Sequence, residues 1–494
     1  MTPEEYLAHD ATALAALVAD GEVTAVELLD LARRRRDEVN PAINAVVVDL
    51  DGVADERAAG PLEGPFAGVP FLVKDLGQEY AGFPTSGGSR ALAADVAGRH
   101  ALVTQRFLDA GLVVFGKTNT PELGAKGVTE PELFGPARNP WDTTRTPGGS
   151  SGGSGAAVAA GIVPAAGAND GGGSVRIPAA CNGLVGLKLS RGLTPYGPHT
   201  GEAMFGMVTQ GVVSRTVRDS AGLLDAIVGS HPAEAYLGAS HDVPFADRIR
   251  ERPGRLRIGF TSSSAINDRP DPEAVAAVEG AARLLTELGH EVEEVSPPHD
   301  DEALARDFLT IWFAQLHGQV AEAKARLGAS DSDFEADTLA LAELGRAAGL
   351  LPMLRSMANV NDHVHKLAGF HEEYDLLLTP TLAKPPIPVD STTTPPLLQR
   401  ASRAIAKVRA GKALQASGVL DQLISQSLGW VPYTQLANLT GRPAISLPLH
   451  WTADGLPLGV QLVGALGTDG LLLQLAAQLE EAQPWAGRFP ASPV

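Results

Sequence analysis

The sequence predicts an α/β fold, and three observations carry that reading. Helix and strand patterns alternate: an amphipathic helix leads into a β-branched strand over residues 101–119, and a strand–helix–strand unit spans residues 256–298. The run AAVAAGIVPAA at 156–166 lies between two Gly/Ser clusters, and its composition favours burial. With 44% hydrophobic and 20% charged residues, a chain of 494 residues holds enough apolar mass for a large core. Length alone suggests about three domains, but α/β units can be this large. No internal repeat is visible, and residues 1–494 read as one domain.

Composition excludes several classes. A formal net charge of −19 argues against a nucleic-acid partner held through phosphates. The single cysteine, Cys181, excludes an internal disulfide and any cysteine-rich metal site, and fits a reducing compartment. The N-terminal MTPEEYLAHD lacks the basic and apolar regions of a secretory signal. The longest near-apolar stretch, 156–168, is too short to span a bilayer. The expectation is a soluble cytoplasmic protein with no membrane partner.

The first 40 residues read as mainly helical. Asp10 caps ATALAALVADG, with Gly21 closing it, and Thr24 opens AVELLDLARRRRDEVN, which Pro41 is expected to end. The run Arg33–Arg36 reads as a solvated helix face balanced by nearby acids. INAVVVDL is a strand by its β-branched content. VPFLV is a short buried strand with Lys74 at its end. Two readings of Lys74 stand side by side. It is a surface lysine paired with Asp75, or it is buried, in which case burial lowers its pKa and makes it a general base. Lys126, in the loop-rich stretch before residue 147, reads as a solvated charge.

Residues 147–174, PGGSSGGSGAAVAAGIVPAAGANDGGGS, are the centre of the chain. Glycine permits tight anion-binding turns, and serine supplies a hydroxyl for nucleophilic attack or proton relay. A flexible linker would not carry the apolar run between its clusters.

VPFLVKDL, GKTNTPE, FGPARNPWD, PGGSSGGSGAAVAAG and DGGGSVRIPAACNGLVGLK occur in this order, and LANLTGRPAISLPLHWTADGLPLGVQLVG follows near the end. Together they resemble the amidase signature family over roughly residues 20–230 and 430–480. The resemblance implies a large mixed sheet between helical layers, an amide-hydrolysing activity and no cofactor or metal. It implies Ser174 as nucleophile, Ser150 as bridging serine beside a cis peptide bond, and Lys74 as base. Under that assignment Gly171, Gly172 and Gly173 can direct successive N–H groups at the developing oxyanion. Asp170 and Arg176 are expected to support the site.

Departures from the family pattern matter. Gly171 stands where a threonine is usual, and Asn169 where a small hydroxyl residue is common, making Asn169 a substrate-pocket candidate. The N-D-x-x-G-S-V-R-I-P-A form resembles the bacterial subgroup that includes the 6-aminohexanoate cyclic-dimer hydrolases, which cleave nylon oligomers. Aryl acylamidases, carbamate-cleaving amidases and the amidase subunit of a tRNA-dependent amidotransferase are the alternatives. The partner expected is a small amide, and a homodimer is compatible with the resemblance.

Other motifs are weaker. Gly149–Gly153 fits G-x-S-x-G, but RNPWDTTRTP before it is not a strand. Cys181 reads as a packing residue, and His363 with His365 as a polar surface pair on a helix. Thr216 opens a helix after the strand at 211–214. Residues 230–254 read as a polar surface excursion. Residues 300–430 are the variable part: helices at 303–316, 339–349 and 398–428, and one strand, YDLLLTPTL. This region is expected to wall the substrate pocket, with Trp312 and Phe313 as either lining or core.

Overall fold

The computed structural model describes residues 1–232, 234–238, 242–267, 269–412 and 424–491. Its strands are β1 (Val46–Asp49), β2 (Pro70–Lys74), β3 (Val113–Thr118), β4 (Ala165–Asp170), β5 (Val185–Lys188), β6 (Thr209–Ser214), β7 (Arg257–Phe260), β8 (Glu291–Glu294), β9 (Leu376–Pro380), β10 (Ala444–Trp451) and β11 (Pro457–Gly464). They form one eleven-stranded sheet in the order β1-β3-β2-β4-β6-β5-β10-β11-β9-β7-β8. Strands β3, β2 and β4 run parallel, as do β9, β7 and β8, and the pairs between these blocks are antiparallel. The expected α/β class with a mixed sheet is what the chain adopts.

Every residue of β2, β3, β4, β5, β6, β9 and β11 is buried. Strands buried on both sides require cover on both faces. That cover comes from α1 (Pro3–Ala8), α2 (Ala11–Ala19), α3 (Ala25–Ile43), α4 (Asp51–Ala59), α5 (Leu102–Asp109), α6 (Gly152–Ala159), α7 (Arg176–Asn182), α8 (Val217–Ile227), α9 (Phe245–Arg248) and α10 (Pro272–Glu287), together with later helices. These are α11 (Asp301–Leu327), α12 (Ala336–Ala348), α13 (Leu350–Phe370), α14 (Pro396–Lys407), α15 (Gln435–Thr440) and α16 (Asp469–Ala482). The exposed residues of β1 and β8 mark the two sheet edges. Three glutamates on β8 keep that edge soluble.

The Gly/Ser cluster forms α6, not a linker, and all eight of its residues are buried. A Cβ on Gly153 would fall 2.3 Å from the Asn119 backbone nitrogen, and one on Gly155 2.7 Å from Asn182 Nδ2. Glycine here lets the helix approach its neighbours backbone to backbone.

Local signals held at several ends. Asp10 accepts from the Ala13 amide, Thr24 forms a capping box with Glu27, and Thr216 caps α8. Other expectations need correction. Helix α3 runs through Pro41, because proline falls in the last turn, and it ends at Asn44, whose backbone is left-handed. Arg33 and Arg36 are largely covered, since Asp51, Asp49 and Asp55 fold back over them. Lys126 is not solvated freely: it bonds Asp337 at 2.8 Å beside Glu335, and the two carboxylates outweigh burial and keep its pKa raised. His363 is buried against Asp307 at 3.1 Å because α13 packs on α11, while His365 is exposed. The excursion at 230–254 contains α9 and buries Phe245. Of the helix expected at 398–428, α14 covers the start, and residues 413–423 lie outside the described residues. Helix α13 had no separate sequence assignment.

Helices α11 and α12 meet where a Cβ on Gly345 would fall 2.0 Å from the Phe313 carbonyl oxygen. Gly345→Ala is therefore expected to destabilise the protein by about 1–3 kcal/mol. Gly318→Ala, on an exposed turn of α11 with no atom within 4 Å, is expected to stabilise by about 0.5–1 kcal/mol. Calorimetric melting of both variants checks the pair.

Candidate active site

Strands β2 and β4 run parallel, with Leu72 opposite Ala166, so their C-terminal ends open at the same edge of the sheet. That edge is where open α/β sheets bind ligands. Lys74 ends β2, and Asn169 and Asp170 end β4.

Lys74 is wholly buried. Its Nζ lies 2.7 Å from Ser150 Oγ and 2.8 Å from Asn169 Oδ1. Burial drives the amine from its usual 10.5 down to about 7, with the Asp170 charge opposing. The surface reading is thereby excluded. Asp75 turns instead to Ser86 Oγ at 2.5 Å and to Lys117 at 3.8 Å. Lys188 is also buried and also pushed down to about 7 by burial and Arg176, but among the described residues its Nζ bonds the carbonyls of Leu189 and Arg442 alone. Of these two lysines, only Lys74 faces a hydroxyl.

Ser150 sits in the loop before α6, and the Gly149–Ser150 peptide bond is cis, as the family resemblance implied. No strand precedes this loop, so the G-x-S-x-G elbow is not formed. Ser151 Oγ turns to the Asn169 carbonyl at 3.4 Å.

Ser174 follows the glycine turn and is 7% exposed. Its Oγ has no hydrogen-bond partner among the described residues, so the structure joins Lys74 to Ser150 but does not close a bond from Ser150 to Ser174. Such links are often open in free enzymes and tighten on substrate.

The turn itself is held by Asp170 and Arg176, both fully buried. Asp170 accepts from the amides of Gly173 at 2.7 Å and Val175 at 3.1 Å. It also accepts from Arg176 Nε and Nη2, each at 3.0 Å. Burial alone would raise this carboxyl; Arg176 and Asn438 outweigh it and hold the group well below the usual range. The three-amide oxyanion site expected from sequence thus loses Gly173, whose N–H points at the carboxylate. Gly171 and Gly172 remain. The Asn169 side chain, expected at the substrate pocket, faces Lys74 Nζ and the Leu76 carbonyl.

Sequence reasoning missed the residues that complete the turn. Thr434 Oγ1 donates to the Gly172 carbonyl at 2.7 Å, and Asn438 Nδ2 to the Asp170 carbonyl at 3.0 Å. Gln461 Oε1 accepts from Arg176 Nη1 at 2.6 Å. Polar residues inside the apolar runs of the C-terminal segment were the available signal. Phe308 was missed as well. A Cβ on Gly172 would fall 2.7 Å from Phe308 Cζ, and one on Gly171 3.4 Å from Trp312 Cζ3 and 3.6 Å from Met204 Sδ. Trp312 therefore walls the site, while Phe313 is core. Cys181 is buried and its thiol pushed up by burial, in keeping with packing.

A buried lysine at a strand end facing a loop serine offers the kind of base that many hydrolases take from histidine. The sequence comparison gives the family: residues 27–473 match the amidase model, and the chain belongs to the amidase signature family. It is an enzyme that hydrolyses amide C–N bonds. It is 38% identical over 493 residues to the 6-aminohexanoate-cyclic-dimer hydrolase of Pseudomonas sp. (strain NK87), covering 98% of this chain and 96% of that one. A structure of 6-aminohexanoate cyclic dimer hydrolase complexed with substrate superposes with a TM-score of 0.90 at 36% identity, covering 99% and 100% of the two chains. A bacterial aryl acylamidase superposes with a TM-score of 0.84 at 27% identity, covering 97% and 99%.

Below about pH 7 the Lys74 amine carries a proton and cannot accept another; above it, the lone pair is free. With a neutral amide substrate, kcat/KM is expected to rise through an apparent pKa near 7 and then level off, as steady-state assays across the pH range will show. Lys74→Ala is expected to lower kcat by about 10²–10⁴-fold while the melting temperature holds.

Proposed function

We propose that the enzyme hydrolyses small amides through a seryl acyl-enzyme, with Ser174 as nucleophile, Ser150 as relay and Lys74 as general base. Neutral Lys74 takes the Ser150 proton as Ser150 takes that of Ser174. Ser174 Oγ bonds to the carbonyl carbon, and the oxyanion forms facing the amides of Gly171 and Gly172. The proton returns through Ser150 to the amine as the C–N bond breaks. Water then follows the same route, and the ester C–O bond to Ser174 breaks to release the acid. The observation that carries this reading is the 2.7 Å contact between a buried Lys74 Nζ and Ser150 Oγ.

The substrates proposed are nylon-type oligoamides, cyclic or linear. The relatives named for the 6-aminohexanoate cyclic dimer support this, as does the wall of Phe308, Trp312 and Met204, which suits methylene chains. Gly171 supports it too, because it leaves open the space beside Val208, Trp312 and Met204, which a Cβ there would meet at 3.1, 3.4 and 3.6 Å. An aryl amide is the second reading, favoured by the Phe308–Trp312 pair with ring centroids 5.4 Å apart. The cytoplasm is the proposed compartment, in keeping with the lone buried Cys181. Among the described residues no helix is long and apolar enough to cross a membrane.

A fluorophosphonate is expected to label Ser174, read by mass fragmentation of the modified peptide; an adduct on Ser151 overturns the assignment. Trp312→Ala is expected to cut kcat/KM for oligoamides about tenfold or more, mainly through KM, in assays on cyclic, linear and aryl amides.

A further inference from the structure

Asn169 lies at the meeting point of β4, β2 and the serine loop and is 4% exposed. Its Nδ2 donates to the Leu76 carbonyl at 2.6 Å. A carbonyl only accepts, so the orientation of this amide is fixed, and its oxygen faces Lys74 Nζ. That oxygen can only accept in turn. Lys74 must therefore donate one N–H to it in either charge state.

We infer that Asn169 is a positioning residue for the base: by holding one N–H of Lys74, it turns the amine lone pair toward Ser150. A neutral amine has two N–H groups and one lone pair. Without a fixed acceptor, rotation about Cε–Nζ spends time with an N–H facing Ser150 Oγ, an arrangement that cannot take its proton. With one N–H tied to Asn169 Oδ1 at 2.8 Å, that rotation is restricted, and Ser150 Oγ at 2.7 Å lies on the amine's other contact. The frame around Asn169 is stiff. Gln78 Oε1 accepts from the Lys74 amide at 2.8 Å, and Gln78 Nε2 donates to the Ala168 carbonyl at 3.1 Å, which clamps the two strand ends together. A Cβ on Gly77 would fall 3.2 Å from Asn169 Nδ2 and 2.9 Å from Tyr196 Oη, so glycine at 77 leaves the space this amide occupies.

The charged groups around the amine are few. Asp170 on β4 is committed to Arg176, and Asp75 beyond the end of β2 pairs with Lys117 on β3. Helix α6 brings no titratable side chain.

The inference rests on the reading of Lys74 as base, and the pH dependence of Asn169→Asp and Asn169→Ala tests both. In Asn169→Asp a carboxylate replaces the amide oxygen and holds the proton on Nζ. The basic limb is expected to move up by about one pH unit or more, with activity near neutrality down about tenfold and recovered at alkaline pH. In Asn169→Ala no charge is added. The plateau kcat is expected to fall about tenfold, KM to change less than about twofold, and the limb to stay or move down. Near-ultraviolet circular dichroism checks folding, and if the aspartate variant does not fold, the alanine variant decides. Variants that keep the parent limb and plateau kcat overturn the role of Asn169 alone. A parent profile with no limb overturns the base reading itself and this inference with it.

Discussion

The buried ion pair between Asp170 and Arg176 is the constraint on which the rest of the site depends. Two opposite charges inside a core are tolerated only if nearly every lone pair and proton is satisfied. Here they are. The carboxylate takes Arg176, two turn amides and Asn438, and the guanidinium reaches the Thr434 carbonyl, Gln461 and Asn438 besides. Removing one partner of such a pair costs about 3–5 kcal/mol, because the other charge is stranded. The same commitment matters for Lys74. An Asp170 with a free charge would hold the lysine protonated. Bound to Arg176, it leaves burial as the dominant influence, and the amine stays available near neutral pH.

Much of this was legible in the sequence where the signal is local. A short apolar strand ending in lysine, small residues packed around serines, and caps such as Asp10 and Thr216 each depend on neighbours within a few positions. What was not legible depends on distant partners. Arg176 meets Gln461 across 285 positions and Asn438 across 262, and no periodicity encodes those meetings. His363 and Lys126 looked like surface groups because their acidic partners lie on other helices. Gly173 illustrates a subtler loss. Three consecutive glycines look equivalent in a sequence, and only the direction of the Asp170 carboxylate separates the third from the first two.

The glycines of the site are spatial rather than flexible. In α6 they bring backbone against backbone, and at Gly171 and Gly172 they make room for Trp312, Phe308 and Met204. A side chain at the first of these positions would press on Val208 and lie against Trp312.

The sheet order has a consequence for how the protein is made. Strand β5 pairs with β10, so residues 186–188 lie against residues 444–446. Thr434, Asn438 and Gln461, which complete the turn before Ser174, are translated well after it. A nascent polypeptide that already contains Lys74, Ser150 and Ser174 still lacks Thr434, Asn438 and Gln461, which accept from Arg176 and brace the glycine turn. Contacts of such separation are closed late and slowly. A chain that stops before residue 434 would carry Ser150 and Ser174 without the groups that hold the glycine turn between them and the sheet.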